Sequence, residues 1–165
     1  MESEITVSTG VVFKVKKAPS LAFQTIVSNL KQNEPKVPIW ENPDKGRKEE
    51  NPNDPDYIKA ITEYNNKTNL ALLDAAIVLC TEIKSIPEGF EKPEDQTWFE
   101  DLVIIGITIE QLGAKKKRYL AWVKYHAAPM DEDIVLINKE IARLNGVSEG
   151  DVTAVMAAYK SSEGR

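Results

Sequence analysis

The stretch Glu49–Ile61, EENPNDPDYIKAI, marks where this chain changes character. It sets four acids, two prolines and two asparagines around the start of an apolar spacing at Tyr57, Ile58 and Ile61. Two readings compete. A cation loop needs oxygen ligands at loop spacing, a glycine at the sharp turn and a closing glutamate. Here prolines interrupt the acids, and no such glycine follows. A helix start needs a side-chain oxygen that accepts from an orphan backbone amide, and Asp54 stands directly before Pro55. Proline at the first helical position loses little, because its missing donor is one of the orphans. Asp56 then suits the positive end of the helix dipole. The stretch predicts a helix start at Asp54–Pro55 and no metal site.

Downstream, Ile58, Ile61, Leu72, Leu73, Ala76, Ile77, Cys80 and Ile83 carry a helical spacing to about Ser85. NNKTN at 65–69 is a polar dip, where the pattern either continues or divides into two helices. Cys80 falls on the apolar face and reads as a small core residue rather than a nucleophile. IPEGFEKPEDQ is a loop, and WFEDLVIIGI reads as a short helix capped by Asp95 or Thr97. GAKKKRYLAWVKYHAAP predicts a helix that Pro129 ends. In MDEDIVLINKEIARLNG, acids fill the first turn, Ile134, Ile137, Ile141 and Leu144 form a stripe, and Gly146 follows as a cap. VSEGDVTAVMAAYKSS predicts a last helix, opened by Ser148 and Asp151. The last two resemble a helix-turn-helix in outline, but Val147–Tyr159 holds two acids and no base, which argues against a DNA reader.

Upstream, prolines at 35, 38, 43, 52 and 55 exclude a regular helix or a central strand. Residues 34–54 read as an extended arm with a polar turn at Asp44-Lys45-Gly46. Within it Val37, Ile39 and Trp40 are conspicuously apolar; they either fold back onto the helices or anchor a partner. Before the arm, APSLAFQTIVSNLKQN predicts a short helix opened by Pro19 or Ser20. Val11, Phe13 and Val15 alternate with Val12, Lys14 and Lys16, the period of a strand. Residues 5–7, ITV, are its expected hairpin partner, with Gly10 supplying a positive φ at the turn. The expected fold is therefore mainly α, with a short N-terminal β-strand or hairpin and a Pro-rich extended arm. Its parts are residues 1–33 (β unit and short helix), 34–54 (arm) and 55–165 (helical domain), packed as one domain.

The totals narrow the function. With 42% hydrophobic and 28% charged residues, the chain can bury a core and keep a solvated surface. A net charge of −5 disfavours nucleic acid as the main partner. Lys115–Arg118 is the one basic cluster and reads as a solvated or salt-bridging face. One cysteine permits no internal disulfide, and with a single histidine, His126, it falls short of a structural zinc set. Apolar runs such as LALLDAAIVLC are too short to cross a membrane, and no secretory signal is visible, so an intracellular protein is expected. Phosphate loops, HExxH, nucleophile elbows and paired Cys and His are all missing. The expectation is no enzyme, with no catalytic, cofactor-binding or metal residues and no small-molecule substrate. A carboxylate hydrolase hidden among the 26 acids is the enzymatic alternative.

The order of the pieces resembles a family of small proteins encoded among the tail and neck genes of tailed bacteriophages and prophages, some called tail assembly chaperones. PKVPIWENPDKGRKEENPNDPDYIKAITEYN, the IPEGFEKPED loop and EIARLNGVSEGDV carry the likeness, which runs from about residue 11 to 159. NPNDPDY is its most specific part, and it is a cap rather than a catalytic motif. The resemblance implies a noncatalytic protein of tail assembly or of the virion. Its partners would be phage tail or neck proteins, or further copies of itself, in the host cytoplasm during assembly. The alternative is a phage-encoded acidic inhibitor or regulator of a host protein, acting through the acid-rich span Glu88–Asp101.

Overall fold

The structure is a computed structural model, and it describes residues 1–107 and 114–146. Strands β1 (Glu2–Thr6) and β2 (Val12–Lys16) lead into helix α1 (Ser20–Lys31). A hairpin of β3 (Ile39–Asn42) and β4 (Arg47–Glu50) precedes the long helix α2 (Pro55–Cys80) and strand β5 (Thr81–Ser85). A 3-10 turn (Thr97–Phe99) runs into α3 (Glu100–Ile104). Helix α4 (Lys115–Trp122) continues as a π turn (Val123–Ala127), and α5 (Asp131–Leu144) follows. The expectation of a mainly α fold is corrected: the described chain is a mixed α and β structure with two small antiparallel sheets, one of order β1-β2-β5 and one of β3-β4.

The correction turns on β5. Its predicted place was the last turn of a helix reaching Ser85, but α2 ends at Cys80 and Thr81 is already extended (φ −118, ψ 146). No loop separates helix from strand. Ile77, Cys80 and Ile83 fit a helical stripe, so the pattern alone cannot mark the switch. Pairing decides it. β2 already pairs with β1 on one side, and Phe13, Lys14 and Val15 pair with Ile83, Glu82 and Thr81 on the other. This satisfies a second row of β2 backbone groups that would otherwise be unpaired beside a buried core. NNKTN does not interrupt α2, which is a single 26-residue helix.

The three-stranded sheet is two-faced. Val11, Phe13 and Val15 are fully buried, as their alternation predicts. On the other face Lys14 pairs with Glu2 at 2.6 Å, Lys84 with Glu4 at 2.6 Å, and Lys16 with Glu82. Against the buried face lie Leu73, Ala76, Ile77 and Cys80 of α2, Trp122 of α4, and Ile134, Ile137, Ile141 and Leu144 of α5. Trp122 meets Phe13 and Phe90 edge-on, at 6.2 and 6.4 Å between ring centroids. The β1–β2 turn needs Gly10 at φ +85, and a Cβ there would lie 3.2 Å from Pro87. Asp133, buried in the first turn of α5, accepts from the Ser8 amide at 2.7 Å and the Ser8 hydroxyl at 2.5 Å, so turn and helix are tied.

The Asp54 start is as the sequence predicts. Its carboxylate accepts from the amides of Asp56 and Tyr57, both at 3.0 Å, with Pro55 in the first turn. The stripe on α5 and the positive φ of Gly146 also agree with the sequence. Asp95 and Thr97 do not cap a helix. Asp95 accepts from the Lys92 amide at 2.7 Å and Thr97 donates to Glu91, so both brace the preceding loop. The helix expected in VSEGDVTAVMAAYKSS lies outside the described residues.

Candidate partner-binding surface

The arm predicted for residues 34–54 is more ordered than an extended coil. Ile39–Asn42 pairs with Arg47–Glu50, and the Asn51 amide closes the base on the Pro38 carbonyl at 2.8 Å. Asn42 organises the tip: its carbonyl accepts from the Gly46 amide at 2.8 Å, and its side-chain oxygen accepts from the Asp44 amide at 3.0 Å. Gly46 takes φ +59, which the turn requires. Pro38 and Pro43 stand just outside the ladder, where a missing donor costs no strand pairing.

Directly opposed residues share a face of a hairpin. One face carries Trp40, Asn42, Arg47 and Glu49. Here Glu49 accepts from Asn42 (3.0 Å) and Arg47 (2.8 Å) and lies 3.2 Å from the Lys45 ammonium. These contacts, the Asn42 bond foremost, hold its carboxyl below the usual carboxylate range. The other face carries Ile39, Glu41, Lys48 and Glu50, all exposed. Of the three apolar arm residues, Val37 is half-buried, Ile39 is 69% exposed and Trp40 43% exposed. No residue of 34–54 belongs to the buried core or packs against it among the described residues. Of the hairpin's neighbours in sequence, α1 fully buries none of its residues, although Phe23 packs against the core, and α2 fully buries only positions from Leu73 onward.

The remaining chemistry-bearing residues lie elsewhere. Cys80 is fully buried, and burial pushes its thiol up to about 11, far from a reactive thiolate. His126 sits in the π turn with Nε2 3.1 Å from Glu91 Oε2, its ring against Phe90 at 4.6 Å. Trp122 Nε1 donates to the Glu91 carbonyl at 3.0 Å, so this corner pins the loop over the core. Arg118 does the same from α4. It donates to the carbonyls of Pro93 (2.6 Å) and Asp95 (2.7 Å) while its guanidinium lies 4.4 Å from the Phe99 ring centre. Sequence reasoning read Lys115–Arg118 as a solvated or salt-bridging face and missed this role, in which Arg118 bonds backbone carbonyls. The acid-rich span Glu88–Asp101 is thus a strap whose Trp98 and Phe99 are buried beneath it. Glu100 and Asp101 open α3 side by side, both exposed. No group of three or more His, Cys, Asp or Glu gathers for a metal among the described residues, and no described helix is long and apolar enough to cross a membrane.

A groove of about 290 Å³ runs between β5 and α4, lined by Thr81, Glu82, Ile83, Pro93, Glu94, Lys115, Lys116 and Tyr119. The Tyr119 hydroxyl meets the Thr81 hydroxyl at 2.8 Å at its floor, and burial pushes the phenol up to about 12. Comparison with known protein families, with curated proteins and with solved structures finds no match.

Proposed function

We propose that this chain is a noncatalytic protein of bacteriophage tail assembly, working through protein–protein contacts in the manner of a tail assembly chaperone or as a part of the virion. The tail-module resemblance supplies the setting, with phage tail or neck proteins as partners in the host cytoplasm. The observation that supports a contact role is the hairpin: Ile39 and Trp40 are exposed on an element that adds nothing to the buried core. Fully burying a side chain of that size contributes about 1.5–3 kcal/mol. Aromatic anchors on a preformed element are where binding energy concentrates, because little ordering entropy remains to be lost.

The test is affinity capture of the tagged chain from phage-infected or prophage-induced cells, with mass spectrometry of the captured material and of purified virions. Tail proteins should be retained by the wild type and lost with Ile39→Glu/Trp40→Glu, whose circular dichroism should match the wild type. Absence from virions then indicates a chaperone, and presence a structural part. Capture of a host protein without phage proteins overturns the assembly reading in favour of the inhibitor. Equal capture by the variant overturns the hairpin as the contact.

A further inference from the structure

We infer that the groove between β5 and α4 is a strand-addition site, which takes an extended acidic peptide segment along the free edge of β5. This surface is separate from the β3–β4 hairpin and does not depend on it. Three observations converge on it.

β5 is an edge strand. It pairs with β2 on one side, and among the described residues no strand pairs with the other. An open edge presents backbone donors and acceptors that a second strand can take up. Proteins usually guard such an edge with outward charges. Here the two long charged side chains of β5 lean the other way. Glu82 bonds Lys16 of β2, and Lys84 reaches across to Glu4 of β1 at 2.6 Å. The edge itself is left clear.

The groove follows that edge rather than a face of the sheet. Thr81, Glu82 and Ile83 all line it. Consecutive strand residues point to opposite faces, so a groove on one face would collect alternate residues only. The far wall is α4, with Tyr119 at the floor and Lys115 and Lys116 at the rim. An edge strand facing a helix across a groove is the geometry by which extended peptides are held, with main-chain bonds on one side and side-chain contacts on the other.

The charge selects the occupant. Of the groove's two carboxylates, Glu82 bonds Lys16, whose hydrogen bond and charge do most to hold it below the usual range, with smaller contributions from the Lys14 and Lys116 charges. Glu94 stands against two lysines. Neither Lys115 nor Lys116 makes an ion pair among the described residues, and Lys116 lies over the Tyr119 ring at 5.8 Å. The N-cap of α4 is Ala114, which offers no side-chain acceptor, so the first-turn amides add partial positive charge at the same rim. An acidic side chain on the incoming strand would face this rim.

The test uses the full chain, labelled with nitrogen-15, and three short blocked peptides. One alternates valine and glutamate, one alternates valine and lysine, and one repeats the glutamate sequence with every backbone amide methylated. The acidic peptide should shift the amide resonances of Thr81–Ser85 and of Lys115–Tyr119 together. Lys115→Glu/Lys116→Glu should weaken it about tenfold or more, and the methylated peptide should not bind. Equal binding of the lysine peptide overturns the charge assignment. Equal binding of the methylated peptide overturns strand addition. No shifts at millimolar acidic peptide, or shifts confined to other residues, overturn the site.

Discussion

Asp133→Ala should be among the most destabilising single changes in the described chain that leave the hydrophobic core whole. Asp133 is 5% exposed, and both of its oxygens accept from Ser8, a residue 125 positions earlier. A hydrogen bond to a charged acceptor contributes about 1.5–3 kcal/mol. Ser8 itself is exposed, so water can replace part of what it loses. That sets the expected cost at the low end of the two-bond sum, about 3 kcal/mol. Ser8→Ala removes only the hydroxyl bond and should cost about 1–2 kcal/mol. Denaturant unfolding of wild type, both single variants and the double variant measures these values as a cycle. The coupling between the two residues should be about 1–2 kcal/mol, and the Asp133→Ala melting point should fall by about 6–12 °C. A loss for Asp133→Ala of under about 0.5 kcal/mol would refute the tie between the β1–β2 turn and α5, and no coupling would refute its hydroxyl half.

Two further outcomes follow from the helix ends and surface pairs. Asp54→Ala should cost about 1 kcal/mol and speed hydrogen exchange in the first turns of α2, which have no buried residues to hold them, while Asp54→Asn should restore most of it. Arg143 donates to both oxygens of Glu140, at 2.9 and 2.6 Å, and this fork, with a lesser part from Ser3, lowers the Glu140 carboxyl from 4.5 to about 2. A carboxyl depressed in the folded state stabilises above its unfolded value and loses that contribution as pH falls through its folded value. Glu140→Gln should therefore be less stable than wild type at neutral pH, by under about 1 kcal/mol because solvent screens this surface pair. The difference should shrink between pH 4.5 and about 2, read by thermal melts across that range.

The candidate surface was only partly legible. Val37, Ile39 and Trp40 stand out because apolar residues among prolines have no periodic partner. Their exposure depends on what the rest of the chain offers them, and that depends on the packing. The strand pairing of the arm was hidden because five prolines argue against sheet, yet the ladder needs only the four residues between Pro38 and Pro43 and the four from Arg47 to Glu50. The β5–α4 groove left no trace in the sequence. Its two walls are 30 or more residues apart, and the acids and lysines at its rim read as ordinary solvated charge. Arg118 was likewise unreadable, because its partners are backbone carbonyls that any sequence supplies.

By itself the sequence determined the features whose causes are local. The Asp54–Pro55 start, the alternation of β2, the glycine turn at Gly10 and the apolar stripe of α5 each depend on a few neighbouring residues satisfying their own backbone and burying one face. The tertiary structure alone decided the features whose causes are distant. Thr81–Ser85 became a strand rather than another helical turn because β2 offered it a row of backbone partners beside a buried face. Backbone hydrogen bonds are close to neutral in exchange with water but costly to leave unmade once buried. A short segment with no strong preference therefore takes whichever form the surrounding fold can satisfy.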